Sequence, residues 1–224
     1  SEKIGSGPGS CSGGNVFNSK FDTPYNKKQL IKNTKQVITE NQKQSINAYT
    51  RDQYVEYNKY LYTGKISDSA KRLIPTSKLP EYIDMLKINI KNISTAINSN
   101  KISEDITVYR GINNYEVADI IKQLEVGDEI NAKGFTSTSL EKDVVNSKFL
   151  YIPGESNQYL IEIKVPKNSP AMFIKFGKYD DEESEVLIDK GSVFKVIGKQ
   201  YDKKTHTTTF VWEFDRVNVT SSIK

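Results

Sequence analysis

A chain of 224 residues is long enough to bury one sizeable core, and 36% hydrophobic with 27% charged residues is the balance of a globular domain rather than of a disordered tail. The net charge of +4 comes from interspersed acids and bases, without the basic and aromatic runs that grip nucleic acid, and no stretch approaches the ~18 apolar residues of a spanning helix. One cysteine, Cys11, and one histidine, His206, exclude a disulfide framework and a Cys/His metal cluster, so the expectation is no bound metal.

The opening "SEKIGSGPGSCSGGN" is a Gly/Ser-rich coil, and residues 1–22 read as a flexible linker ahead of a single domain over 23–224. No apolar run of a signal peptide starts the chain, so an export signal is expected outside it. From Thr23 to about Ser99 the pattern is helical. "KKQLIKNTKQVITENQKQSINAYT" and "QYVEYNKYLYTG" read as helices, the second stopped by Gly64, and Leu79, Tyr82, Ile83, Leu86, Ile90, Ile93 and Ile97 make one apolar stripe.

Past Asn100 the period changes to that of strands. "ITVYRGI" (Ile106 to Ile112), "EINAKGFTSTSL" (Glu129 to Leu140), "QYLIEIKVP", "AMFIKF", "SEVLIDKGSVFKVIGKQY" (Ser184 to Tyr201) and "HTTTFVWEF" are rich in β-branched and aromatic residues. A short helix, "NYEVADIIKQL", separates the first two. His206 falls in the last of these runs and reads as a surface strand residue. Strands after a helical half predict an α+β fold, with mostly antiparallel sheets packed against N-terminal helices.

Three places in the strand-rich half carry chemistry. Arg110, one of four arginines, presents a planar fork suited to phosphate, and Gly111 beside it would let a ligand approach the backbone. In "GFTSTSL", alternation puts Ser137 and Ser139 on one face and Thr138 on the other, so two hydroxyls could steady a carboxylate or a ribose. In "KYDDEESEVL", Glu183 and Glu185 flank Ser184 at a strand start, and period two aims both carboxylates to one side. Such a pair repels unless a cation lies between or above it. Asp180, Asp181 and Glu182 read as a solvated turn.

"VYRG", "GFTSTSL" and "EESEVL", in that order, resemble the mono-ADP-ribosyltransferase toxins of the Arg/Ser-Thr-Ser/Glu-x-Glu class, which include actin-modifying binary toxins and Rho-modifying exoenzymes. The likeness runs from about Thr34 to Val217, because "SINAYTRDQYVEYNKYL" is also similar to the helical stretch of that family. It implies helices packed on a two-sheet β core, NAD as co-substrate, and an acceptor arginine on a target protein, actin or another host protein. It also implies a secreted enzyme delivered into the cytosol of a target cell, with a separate or upstream delivery domain.

By the same resemblance Arg110 holds an NAD phosphate, Ser137 orients Glu185, Glu185 is the catalytic glutamate and Glu183 engages the acceptor. Gly111, Thr138, Ser139 and Phe149 would complete the NAD site, with Phe149 near the nicotinamide, and Phe176 or Tyr179 would be an exposed anchor facing the target. Many relatives carry a second phosphate-binding arginine just beyond that aromatic; here Lys148 would have to substitute.

The chemistry suits these residues independently. Cleaving the nicotinamide–ribose bond has a charged leaving group, needs no general acid, and passes through a cation that a fixed carboxylate stabilises. A guanidinium acceptor is protonated in water, so a second carboxylate can bind it and draw off its proton. Two other readings stay open from the sequence: an NAD glycohydrolase with water as acceptor, and a non-catalytic binding module on the same fold.

Overall fold

A computed structural model describes residues 24–152, 154–176 and 184–218. The 1–22 linker lies outside them. Helices α1 (Pro24–Asn33), α2 (Glu40–Ala48), α3 (Tyr54–Thr63), α4 (Asp68–Leu73) and α5 (Leu79–Ser99) come first, followed by β1 (Ile106–Ile112), α6 (Tyr115–Ile121), β2 (Glu129–Ala132), β3 (Thr136–Ser139) and α7 (Lys142–Lys148). Strands β4 (Gln158–Val165), β5 (Ala171–Phe173), β6 (Glu185–Ile188), β7 (Ser192–Asp202) and β8 (Thr207–Val217) complete the order.

Local chemistry explains most boundaries. Thr39 starts α2 with a capping box: its Oγ1 accepts from Gln42 N at 3.2 Å, and Gln42 Oε1 accepts from Thr39 N at 3.0 Å. Gly64 ends α3 with φ of 69° while its N–H reaches Tyr60 O, as the glycine stop required. The apolar stripe of α5 buries Leu86, Ile90, Ile93 and Ile97, a helix face covered as its period predicted. The helical run expected over residues 27–50 is broken at 34–39. There Asn100, just past α5, pairs with Val37 as a strand would: Val37 N donates to Oδ1 at 2.7 Å and Nδ2 donates to Val37 O at 3.0 Å.

The strands form one mixed eight-stranded sheet in the order β2-β7-β8-β4-β1-β3-β6-β5, not two sheets. Every described pairing is antiparallel except β4 with β8. The unity of the sheet hangs on β1, which pairs along its whole length with β4 but meets β3 only at Tyr109↔Ser139. The segment expected as one strand over 129–140 is two, because β2 pairs with β7 at one edge while β3 lies between β1 and β6.

Alternation in β6 divides the core. Val186 and Ile188 join Ile106, Val108, Phe194 and Phe210 on one side. Leu187 joins Ile46, Tyr49, Tyr57 and the α5 stripe on the other. His206 lies in the β7–β8 turn with φ of 52°, not in a strand, and its Nδ1 is 3.1 Å from Tyr201 Oη.

Candidate active site

The cleft opens where β1 and β3 part after their single paired position. Tyr109 faces Ser139 across one side of β3, and Ser139 faces Glu185 across the other. Ser137 opposes Leu187, so alternation sets Ser137, Ser139, Glu185 and Leu187 on the helical face of β3 and β6. Arg110, Ser137, Thr138, Ser139, Phe149 and Glu185 all line a cavity of about 300 Å³ there.

Each polar group is held by its neighbours. The Arg110 guanidinium donates from Nη1 to Ser137 O at 2.9 Å, which ties β1 to β3 just beyond their register. Thr138 is buried on the far face and donates to Val186 O at 2.7 Å, so it serves the sheet. Ser139 Oγ accepts from Glu141 N at 3.0 Å and so turns the chain into α7. Gly111 has a packing reason: a Cβ there would lie 2.6 Å from the Phe149 carbonyl oxygen. What approaches the Gly111 backbone is the end of α7, which brings Phe149 to the cleft wall.

Glu183 and Tyr179 lie outside the described residues. Strand β6 begins at Glu185, and Ser184 before it has φ of 44°. Phe176 is half-buried against the helical core with Lys43 Nζ 5.6 Å from its ring centre. Lys148 is exposed in the last turn of α7, just before Phe149.

The helical layer supplies a wall of the cleft that the motifs alone did not reveal. A π-turn over Tyr49–Gln53 joins α2 to α3 and inserts Tyr49, 1% exposed, beneath Ser137. Tyr49 Oη is 3.4 Å from Ser137 Oγ and accepts from Asn58 Nδ2 at 3.2 Å. Asn58 also pins the approach to β3, where Phe135 N donates to its Oδ1 at 2.9 Å and its Nδ2 reaches Phe135 O at 3.4 Å. Gly134 must be glycine for this contact, since a Cβ would come within 2.6 Å of Asn58 Oδ1. Tyr54 and Asn58, four apart on α3, face the cleft together.

Burial pushes the Tyr49 phenol above its ordinary pKa, the Ser137 and Asn58 hydrogen bonds and then the Arg110 charge pull it back, and the Glu185 charge adds to the rise. The phenol is therefore protonated at neutral pH. Among the described residues no group of three or more His, Cys, Asp or Glu side chains could hold a metal ion, and no helix is long and apolar enough to cross a membrane.

A family model described as ADP-ribosyltransferase exoenzyme matches residues 24–216. An NAD(+)--arginine ADP-ribosyltransferase, EFV, of Enterococcus faecalis is 25% identical over 148 residues, which cover 66% of this chain but only 27% of that protein. An ADP-ribosyltransferase of Clostridium botulinum superposes with a TM-score of 0.65 at 17% identity, covering 89% of this chain and 99% of that one. The Vis toxin of Vibrio splendidus, solved with agmatine, gives 0.60 at 21% identity over 85% of this chain and 81% of that one. At these identities the superpositions speak for the fold.

Proposed function

The chain belongs to the ADP-ribosyltransferase exoenzyme family, and from that premise we propose that it cleaves NAD at the nicotinamide–ribose bond and transfers ADP-ribose to an arginine of a target protein. The observation that carries the reading is the convergence of Arg110, Ser137 and Glu185, from three different strands, on one cavity.

Arg110 would grip an NAD phosphate with the donors that Ser137 O leaves available. Phe149 would pack near the nicotinamide, with Gly111, Thr138 and Ser139 shaping the wall. As the C–N bond breaks, its electron pair neutralises the ring nitrogen of the departing nicotinamide, and Glu185 would stabilise the positive ribose that remains. Glu183 would bind the acceptor guanidinium and take the proton it loses as the new C–N bond forms. Arginine as acceptor is supported by the activity named for EFV and by the guanidine compound agmatine bound to Vis. We read residues 23–224 as the catalytic unit, 1–22 as a linker to a delivery region, and the protein as an effector acting on actin or another host protein in the cytosol of a target cell.

Incubating the protein with NAD and agmatine separates the readings. Nicotinamide release together with ADP-ribosyl-agmatine by mass spectrometry is expected. Release without a guanidine product or labelled protein would make the protein a glycohydrolase, and no release at all would leave a binding module.

A further inference from the structure

We propose that the N-terminal segment 24–37 braces the backbone on both sides of Glu185, with Gln36 and Lys27 as positioning residues that hold this carboxylate at the cleft from outside it. This rests on the reading of Glu185 as the carboxylate that acts on NAD.

Glu185 opens β6, and its Cα hangs between two peptide groups. The carbonyl of the first, Ser184 O, accepts from Leu140 N at 3.0 Å, and the carbonyl of the second, Glu185 O, accepts from Ile174 N at 2.9 Å. Both donors are themselves held from segment 24–37. Gln36 Nε2 donates to Phe173 O at 2.6 Å, and that oxygen belongs to the same peptide group as Ile174 N. A trans peptide points its C=O and N–H in opposite directions, so one rigid plane links Gln36 to Glu185 O. Hydrogen bonds at the two ends of such a plane polarise one another and strengthen both. On the other side Lys27 Nζ donates at 2.7 Å to Leu140 O, the carbonyl of the residue whose N–H reaches Ser184.

The segment is itself well seated. Leu30 and Ile31 of α1 pack on the core that holds Leu140, Phe173 and Val186. Lys175, just past β5, donates from Nζ to Thr34 O at 2.7 Å, so the segment and the β5 edge are tied in both directions. Strand β5 is the last of the sheet, and Gln36 takes an edge carbonyl that no further strand pairs. Lys27 is half-buried, with Nζ 5.6 Å from the ring centre of Tyr109, which lines the cleft beside Arg110.

A carboxylate stabilises a developing cation best from a fixed place, and a misplacement of about 1 Å can cost about a hundredfold in rate. Gln36→Met and Lys27→Met keep the length of each side chain and remove its donor. For nicotinamide release from NAD, each is expected to lower kcat about fivefold with KM changed less than about twofold. Lys27→Arg, which keeps a donor for Leu140 O and a cation over Tyr109, should restore most of the rate. On a Glu185→Asp background, where the carboxylate is already one methylene short of its place, Gln36→Met should cost less than about twofold more. A contact that only stabilised the fold would lower the urea midpoint and leave kcat and this coupling unchanged. Should circular dichroism show either Met variant unfolded, Gln36→Glu, which keeps the shape but replaces the donor by an acceptor, carries the same expected loss of kcat. Wild-type kcat in the folded variants, a loss carried by KM alone, or losses that multiply fully with Glu185→Asp would overturn the brace. Glu185→Gln distinguishes the levels: if it is inactive while the Gln36 and Lys27 variants run at the wild-type rate, only the brace falls. If the wild type releases no nicotinamide, the reading of the site falls and the brace with it.

Discussion

A carboxamide carries an acceptor and a donor side by side, the same pair that a backbone peptide presents to a neighbouring strand. Asn58 uses it to pair with Phe135, and Asn100 uses it to pair with Val37. In each case one side chain stands in for a strand and satisfies the N–H and C=O of a residue that has left regular structure. On the proposed reading the carboxylates play a different part, and substitution would separate their roles. Glu185→Gln is expected to lower NAD cleavage by at least about a hundredfold, as loss of a charge aimed at a developing cation does, while NAD binding followed by fluorescence stays near the wild-type level. Glu183→Gln is expected to spare NAD hydrolysis and to reduce transfer to agmatine sharply; equal loss of both activities contradicts the division. Arg110→Lys should raise the KM for NAD, because an ammonium cannot hold Ser137 O and a phosphate with one planar fork. The arginine, the serines and Glu185 were legible as residue types at a spacing. Tyr49 and Asn58 were not, because a tyrosine and an asparagine within a helical pattern look like any helix surface until β3 is seen to lie against them.

At the level of elements, the long helix α5 is tied to the sheet through a buried carboxylate. Asp189, 4% exposed, follows β6 and accepts from Ser94 Oγ at 3.0 Å and Asn98 Nδ2 at 2.7 Å, both on α5, while Oδ1 takes Lys190 N at 2.9 Å. Burial pushes its carboxyl above the ordinary aspartate range, with the Ser94 and Asn98 hydrogen bonds opposing the rise. A folded-state pKa raised above the unfolded value means that the folded form holds the proton more tightly. Stability from this group is therefore present at low pH and is lost as pH rises through the folded value. Asp189→Asn has no such loss, so its urea midpoint should shift in its favour relative to wild type as pH goes from about 4 to about 7. A difference that is flat across that range would count against the burial account. Helix α7 shows why an element can go unread. Its seven residues are too few for an apolar period, and its seat against β1 shows only in three dimensions, in the Gly111 contact and in the packing of Val145 with Leu160 and Tyr109.

For the whole molecule, the single Tyr109↔Ser139 pair both unites eight strands and leaves a gap beside itself for the cleft. The strands on the two sides of that pair nonetheless share one hydrophobic core. Val186, Ile188, Ala171 and Phe173 from β5 and β6 pack with Val108, Ile163 and Phe194 from the larger half. Trp212, the one tryptophan, sits in β8, whereas helicity resides mainly in the N-terminal layer. Tryptophan fluorescence and far-ultraviolet circular dichroism should therefore trace the same urea transition; two separated midpoints would mean that the helical layer unfolds on its own. Alternation and stripe spacing by themselves determined the α+β class, the α5 face, the Gly64 stop and the facing of Ser137 and Ser139, because these follow from local period and backbone sterics. The joining of the strands into one sheet, the separation of β2 from β3 and the placing of Tyr49 and Asn58 under Ser137 were decided by tertiary structure. They depend on which distant segments meet, and a period along the chain carries no information about partners across it.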